Sequence, residues 1–121
     1  MTKLLVVDDE KNIRRLYETE LKGDGYEVAT AESAEEALEM IDREPPDLVV
    51  LDIRLEGMDG IDALRTIMEK RRDLPVILNS AYSTYKQDFA SWMADAYVVK
   101  SADLTELKTT IETVLKERGK A

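Results

Sequence analysis

Short apolar runs alternate with amphipathic stretches along the whole chain, and this alternation limits the possible folds more than any other feature. The five runs are KLLVVD (3–8), YEVAT (26–30), DLVVLD (47–52), PVILNS (75–80) and AYVVK (96–100). Each has the length of a strand, and the first run is continuously apolar, as a strand that is buried on both faces should be. Between and after them, apolar residues recur at helical spacing over residues 13–21, 37–41, 61–68, 85–93 and 104–115. The pattern therefore predicts a strand–helix unit repeated five times.

Helix boundaries in the sequence agree with this division. Gly23 and Gly25 are expected to end the first helix, and Pro45-Pro46 to end the second, because proline cannot continue a helix. Ser33 with Glu36 forms a capping box at the start of the second helix, and Asp103 with Glu106 is expected to cap the last one.

Repeated strand–helix units form a parallel sheet with helices on both faces. Right-handed crossovers favour the doubly wound, flavodoxin-like α/β fold with strand order 2-1-3-4-5. A chain of 121 residues without a linker segment fits one domain over residues 1–121.

Polar and charged residues stand where four of the predicted strands end. The first strand ends in Asp8-Asp9, the third in Asp52, the fourth in Asn79-Ser80 and the fifth in Lys100. Because ligands of open parallel sheets bind beyond the carboxyl ends of the strands, we expect these groups to converge. Clustered carboxylates repel one another unless a cation joins them, and hard oxygen ligands favour Mg²⁺. Beside such an ion, Asp52 is the best-placed nucleophile, with Lys100 and Ser80 as further phosphoryl ligands.

Each of these residues alone has a simpler explanation. Asp8-Asp9 could cap the first helix, and Asp52 could be an ordinary turn residue after a strand. Lys100 could be a solvated strand end, Ser80 a loop hydroxyl and Tyr97 a common strand aromatic. The functional interpretation depends on their occurrence together at one edge of the sheet.

Composition excludes several classes of function. The chain has no cysteine and no histidine, which excludes disulfides, thiolate metal sites and histidine-dependent hydrolysis or phosphohistidine chemistry within it. Its net charge of −9 works against direct nucleic-acid binding. No apolar run approaches the roughly 20 residues of a membrane span, and nothing resembles a signal peptide, so a cytoplasmic location is expected.

Over essentially its full length, the sequence resembles the receiver domains of two-component response regulators. The segments that carry the resemblance are LLVVDDE (4–10), PDLVVLDI (46–53), GMDG (57–60), PVILNSA (75–81) and AYVVK (96–100). The resemblance implies that Asp52 accepts a phosphoryl group, and that Mg²⁺ is held by Asp9 directly, by Asp8 through water, by Asp52 and by the carbonyl of Arg54. It also implies that Lys100 and Ser80 bind the phosphoryl group, and that Ser80 and Tyr97 form the switch.

The same resemblance implies the partners. The phosphoryl donor would be a histidine kinase or histidine phosphotransfer protein, which would dock on residues 12–15 and on the loop after Lys100. The signal would leave through the surface of the fourth helix, fifth strand and fifth helix, where Tyr85, Phe89 and Trp92 lie. Such a domain catalyses its own phosphotransfer and autodephosphorylation rather than acting as a conventional enzyme.

Two positions depart from the family pattern. Ser101 follows Lys100 where proline is usual, so we expect a trans bond or a remodelled loop there. Glu56 stands where proline usually follows the acceptor by four residues. The resemblance also implies that Arg54 and Tyr82, two residues beyond Asp52 and Ser80, flank the approach of water, which predicts a long-lived acyl phosphate.

Three rival interpretations follow from the sequence. A degenerate receiver could act as a protein-binding scaffold without phosphorylation. An FMN carrier would share the fold, but Asp8, Asp9 and Glu10 would repel a phosphate at the first strand. A small phosphatase with an aspartate nucleophile would usually carry that residue on its first strand. Whether the chain is a single-domain regulator or part of a longer one stays open.

Overall fold

A parallel five-stranded sheet flanked by helices forms the structure, a computed structural model that describes residues 1–55, 59–82 and 94–119. The strands are β1 Lys3–Val7, β2 Glu27–Ala31, β3 Leu48–Leu51, β4 Val76–Ser80 and β5 Ala96–Val99. The helices in the described ranges are α1 Lys11–Gly23, α2 Ala34–Arg43, α3 Gly60–Lys70 and the C-terminal helix α4 Thr105–Glu117. The sheet order β2-β1-β3-β4-β5 confirms the predicted flavodoxin-like fold. The helix predicted over residues 85–93 lies outside the described residues.

Local sequence signals explain most helix ends. The Ser33 side chain accepts a hydrogen bond from the Glu36 amide at 3.1 Å, as the capping box predicts. Gly25, with φ of +97°, allows the turn after α1, and α2 ends before Pro45. The prediction for the last helix was wrong in detail. Leu104 is its N-cap residue, and Asp103, one position earlier, accepts from the Thr105 amide at 2.9 Å.

Alternation along the strands divides the core into two layers. One layer lies between the sheet and helices α1 and α4, and it contains Leu4, Val6, Leu48, Val50, Ile77 and Val98. The other lies between the sheet and helices α2 and α3, and it contains Leu5, Val7, Val49, Leu51, Leu78 and Tyr97. Because successive side chains point to opposite faces, Asp8, Asp52, Asn79 and Lys100 continue the α1/α4 face. Ser80 continues the other face, together with Tyr97.

A bidentate ion pair fixes the far end of α4. The Nε atom of Arg118 lies 2.7 Å from Asp95 Oδ2, and its guanidinium also donates to the carbonyl of Asp73 at 3.2 Å. Asp95 in turn accepts from the Val76 amide at 3.1 Å, so the contact joins α4 to the beginning of β4. Within the described residues there is no helix long and apolar enough to cross a membrane, and no cis peptide bond.

Candidate functional site

The predicted strand-end residues come together at the carboxyl edge of the sheet. Hydrogen bonds continue the strand pairing by one residue: the amide of Asp8 donates to Ala31 at 3.1 Å, and that of Asp52 donates to Val7 at 3.0 Å. The amide of Lys100 donates to the Ser80 carbonyl at 2.7 Å. These bonds extend the pairing of β1 with β2, of β3 with β1 and of β5 with β4, and the paired strands β3 and β4 join the two groups, so the strand-end side chains share one edge.

Lys100 joins the two buried carboxylates. Its ammonium nitrogen lies 2.7 Å from Asp8 Oδ2 and 3.0 Å from Asp52 Oδ2. Asp8 is 2% exposed and Asp52 is 5% exposed, so both charges are largely removed from water. Burying two carboxylates is costly unless a cation pairs with them, and the ammonium group provides that pairing.

The pKa values reflect this arrangement. Burial alone would lower the pKa of Lys100, but its hydrogen bonds to Asp8 and Asp52 and their charges raise the pKa above the ordinary value. Lys100 therefore stays protonated. Burial raises the pKa of Asp52, Lys100 lowers it, and the charge of Asp8 raises it again, so the net direction is upward. One ammonium thus only partly offsets two buried carboxylates.

The second oxygen of each buried carboxylate bonds to the following loop. Asp8 Oδ1 accepts from the Glu10 amide at 2.9 Å, and Asp52 Oδ1 accepts from the Arg54 amide at 3.2 Å. These local bonds fix both side chains before any ligand binds, and they shape the loops that line the site.

The acidic residues at the end of β1 have the composition of a magnesium site. One carboxylate oxygen from each of Asp8, Asp9 and Glu10 lies within 4.8 Å of the others. A cavity of about 190 Å³ adjoins them and is lined by Asp9, Glu10, Asp52, Arg54, Ser80, Ala81, Tyr82 and Lys100. Hard oxygen donors beside open space suit a cation that keeps several waters, as Mg²⁺ does. Glu10 was not predicted as part of this group, although it directly follows the two aspartates.

Ser80 and Tyr97 are connected through the backbone of Tyr82. Ser80 is fully buried, and its hydroxyl oxygen accepts from the Tyr82 amide at 3.2 Å. The buried Tyr97 hydroxyl donates to the Tyr82 carbonyl. The Arg54 guanidinium lies 5.1 Å from the centre of the Tyr82 ring, in cation–π contact across the cavity. Ser80 and Tyr97 thus share the backbone of Tyr82 as a hydrogen-bond partner.

Gly60 allows α3 to begin directly against the acceptor loop. Its amide donates to the Ile53 carbonyl at 2.8 Å. A Cβ atom at this position would lie 2.1 Å from the Asp52 carbonyl oxygen and 2.6 Å from Ile53 Cα. Only glycine therefore fits the close approach of these two backbones, which explains the second glycine of the GMDG segment.

Asn79 was predicted to lie at the strand edge, and the structure gives it a partner that the sequence did not indicate. Its Nδ2 atom donates to the Tyr17 hydroxyl at 2.6 Å, and both side chains are buried. Tyr17 was assigned only to the apolar stripe of the first helix. The available signal was an asparagine within an apolar strand, since a buried amide needs a polar partner.

Comparisons with known proteins agree with the fold. The family profile of the response regulator receiver domain matches residues 4–112. The probable transcriptional regulator ycf27 of Porphyridium aerugineum is 40% identical over 98% of this chain, which covers 50% of that protein. The regulatory protein AtoC of Escherichia coli is 35% identical over 95% of this chain, covering 25% of its own length. The chain thus spans about half the length, or less, of these relatives.

Solved structures give similar matches over whole chains. The response regulator TrrA of Thermotoga maritima, in complex with Mg²⁺-BeF, is 47% identical with a TM-score of 0.90, covering 95% of this chain and all of that one. TrrA has also been solved in complex with the histidine kinase ThkA, with a TM-score of 0.88 over 95% of this chain and 99% of that one. A CheY-like receiver domain protein of Methanospirillum hungatei is 30% identical, with a TM-score of 0.92 over 99% of this chain and 98% of that one.

Proposed function

Because the chain belongs to the response regulator receiver family of two-component systems, we propose that it is a phosphoacceptor switch whose acceptor is Asp52. The phosphoryl group would come from a phosphohistidine on a kinase or phosphotransfer protein, since this chain has no histidine. We assign this function to one domain spanning residues 1–121. The observation that carries the proposal is the Lys100 ammonium, which bridges the buried Asp8 and Asp52 beside an open cavity.

The transfer is a displacement at phosphorus. An Asp52 carboxylate oxygen attacks the phosphorus, the new O–P bond forms as the P–N bond to the donor imidazole breaks, and the imidazole nitrogen takes up a proton. Lys100 offsets the charge that gathers on the phosphoryl oxygens, and the Ser80 hydroxyl is available to donate a hydrogen bond to one of them. Hydrolysis of the acyl phosphate by water later returns the Asp52 carboxylate and releases inorganic phosphate.

Asp9, Asp8, Asp52 and the Arg54 carbonyl are the residues proposed to hold Mg²⁺, with Asp8 acting through water. When bound, the ion neutralises charge on the transferring phosphoryl group. Support comes from the donor set, because Asp8, Asp9 and Glu10 cluster beside the cavity that Asp52 and Arg54 line. Glu10 is a candidate for a water-mediated contact, since its side chain is exposed.

Phosphorylation is proposed to act on the rest of the molecule through Ser80 and Tyr97. A hydrogen bond from Ser80 to the phosphoryl group would compete with its present bond to the Tyr82 amide. Tyr82 also holds the Tyr97 hydroxyl, so movement of this backbone changes the position of Tyr97. The proposed output surface comprises β5, α4 and the helix predicted over residues 85–93. That predicted helix lies outside the described residues.

The proposed partners are a histidine kinase or phosphotransfer protein and a downstream protein. The donor is proposed to dock on residues 12–15 and on the loop after Lys100. The Arg14 guanidinium donates to the Asp8 carbonyl at 2.7 Å, so the start of α1 borders the site. The acidic charge of −9 supports a domain that does not itself bind nucleic acid. The lack of cysteine agrees with the cytoplasmic location that we propose.

Phosphoryl uptake from a small-molecule donor tests this proposal. The protein is incubated with acetyl phosphate, with and without Mg²⁺, and its intact mass is recorded beside that of Asp52→Asn. We expect one phosphoryl adduct that needs Mg²⁺, is labile to base and is absent from the variant. A folded protein that binds Mg²⁺ but gains no adduct would favour the degenerate receiver that acts as a scaffold.

A further inference from the structure

Asn79 lies on β4, the strand between β3, which ends at Asp52, and β5, which ends at Lys100. In the sheet register Leu51 pairs with Leu78, so Asp52 on the end of β3 lies beside Asn79 on β4. Asn79 pairs in turn with Val98, two residues before Lys100. All of these side chains except those of Leu51 and Leu78 lie on the α1/α4 face.

The Lys100 side chain must cross β4 to reach Asp52. Strands in a sheet are about 4.8 Å apart, so about 10 Å separates β5 from β3. The ammonium lies 3.0 Å from Asp52 on β3 and 2.7 Å from Asp8 on β1, beyond it. The β4 residue on this face that lies level with Asp52 is Asn79. Lys100 lies two residues beyond the β5 partner of Asn79, so its side chain reaches back towards that level.

The Asn79 amide has one unused acceptor. Its Nδ2 donates to the Tyr17 hydroxyl at 2.6 Å, while its Oδ1 is buried and has no hydrogen-bond partner among the described residues. A buried polar atom without a partner is costly, and such atoms in a native site call for an explanation. Because the amide group is planar, the bond to Tyr17 also fixes the direction of Oδ1.

We propose that Asn79, oriented by Tyr17, is a positioning residue. It accepts a hydrogen bond from the Lys100 ammonium when Asp8 and Asp52 bind a cation. Both present acceptors of Lys100 are carboxylates that the proposed metal site uses. The neutral Oδ1 of Asn79 is an acceptor that stays available to the lysine when those oxygens turn to the ion. The amide thereby holds the ammonium over Asp52, where the phosphoryl group arrives. This inference rests on the proposed function and assigns Asn79 and Tyr17 no direct contact with phosphate.

The electrostatics of Tyr17 agree with its place below the site. Burial raises the pKa of Tyr17 and the Asn79 bond lowers it, while the charges of Lys100, Asp8 and Asp52 all act on it as well. The hydroxyl is therefore within electrostatic range of all three charged groups, and it remains protonated at neutral pH.

Spectra of the Lys100 ammonium test the contact directly. [¹⁵N]Lysine-labelled protein is compared with Asn79→Leu, Tyr17→Phe and the control Tyr26→Phe, each with and without Mg²⁺. Tyr26 packs against the same core layer at the other end of the sheet, so it controls for loss of a phenol hydroxyl. We expect a Mg²⁺-dependent Lys100 resonance in the parent and in Tyr26→Phe that broadens into exchange with water in the other two. The same Lys100 resonance in all four proteins would overturn the proposal.

Phosphorylation rates then show whether Asn79 and Tyr17 act by positioning Lys100 or only by supporting the fold. With acetyl phosphate at saturating Mg²⁺, Asn79→Leu and Tyr17→Phe should each slow adduct formation about tenfold, the effect of one charge-assisted hydrogen bond, without changing the Mg²⁺ midpoint. In a Lys100→Ala background the same substitutions should change the remaining rate less than twofold. Equal slowing in both backgrounds would refute action through Lys100. If the parent gains no adduct at all, the proposed function fails, and the ammonium spectra alone decide the role of Asn79.

Discussion

Replacement of Gly60 by alanine should damage stability and phosphorylation together. The added Cβ would lie 2.1 Å from the Asp52 carbonyl oxygen, whereas an ordinary contact begins near 3.4 Å, so α3 and the acceptor loop must separate by more than 1 Å. Both neighbours are backbone, which cannot rotate away as a side chain can. Overpacking of this kind costs about 1–3 kcal/mol. For a domain of this size, that lowers Tm by roughly 4–12 °C.

The same shift moves the nucleophile. A displacement of about 1 Å in a reacting group can slow a reaction roughly 100-fold, so adduct formation from acetyl phosphate should fall by about 10- to 100-fold. The matched control is Gly23→Ala, at the end of α1, where an added Cβ meets nothing within 4 Å and φ is not positive. That change should leave the rate unaltered and stabilise by about 0.5 kcal/mol. Urea unfolding and intact-mass kinetics measure both effects, and a Gly60→Ala protein with parental stability and rate would refute the reasoning.

Three further outcomes are expected. Asp52→Asn should raise the free energy of unfolding at pH 7, because burial raises the pKa of Asp52 and its ionised form therefore opposes folding. That gain should shrink as the pH falls and the parent carboxyl becomes protonated; an equal gain at pH 7 and at low pH in urea titrations would contradict it. Replacing Arg54 and Tyr82 together by alanine should speed dephosphorylation several-fold, because their contact covers one side of the cavity, and an unchanged decay of the adduct would sink that idea. Arg118→Ala should lower stability by about 1 kcal/mol, and the exposed Arg65→Ala by less than about 0.5 kcal/mol; equal Tm values for the two variants would argue against the role of the ion pair.

The sheet and the position of the site could be predicted from the sequence because both depend on simple periodic rules. Continuous apolar runs mark strands buried on both faces, and right-handed crossovers leave few possible strand orders. Once that order is fixed, residues that follow adjacent strands must lie at one edge. Asp8, Asp52 and Lys100 could therefore be expected to meet, and the structure brings them into contact.

Details that depend on side-chain geometry could not be predicted. The strand pattern indicates that Asn79 is buried, but not that its partner is Tyr17, 62 positions earlier in the chain. The start of α4 at Thr105, with Asp103 outside the N-cap position, depends on the packing of the buried Leu104 rather than on capping residues alone. The clash that restricts position 60 to glycine arises between backbones of different elements, which no local pattern records.

The central claim is that Asp52 is the phosphorylated residue, and chemical reduction of the acyl phosphate, which marks the residue that carries it, tests this claim most directly. Protein treated with acetyl phosphate and Mg²⁺ is reduced with borohydride, which converts an aspartyl phosphate to homoserine, and the peptides are sequenced by mass spectrometry. Phosphorylation of Asp52 predicts homoserine at position 52, dependent on Mg²⁺ and strongly reduced in Lys100→Ala. Homoserine at Asp8, Asp9 or another carboxylate, or at none while the protein stays folded, would contradict the assignment of Asp52 as the acceptor.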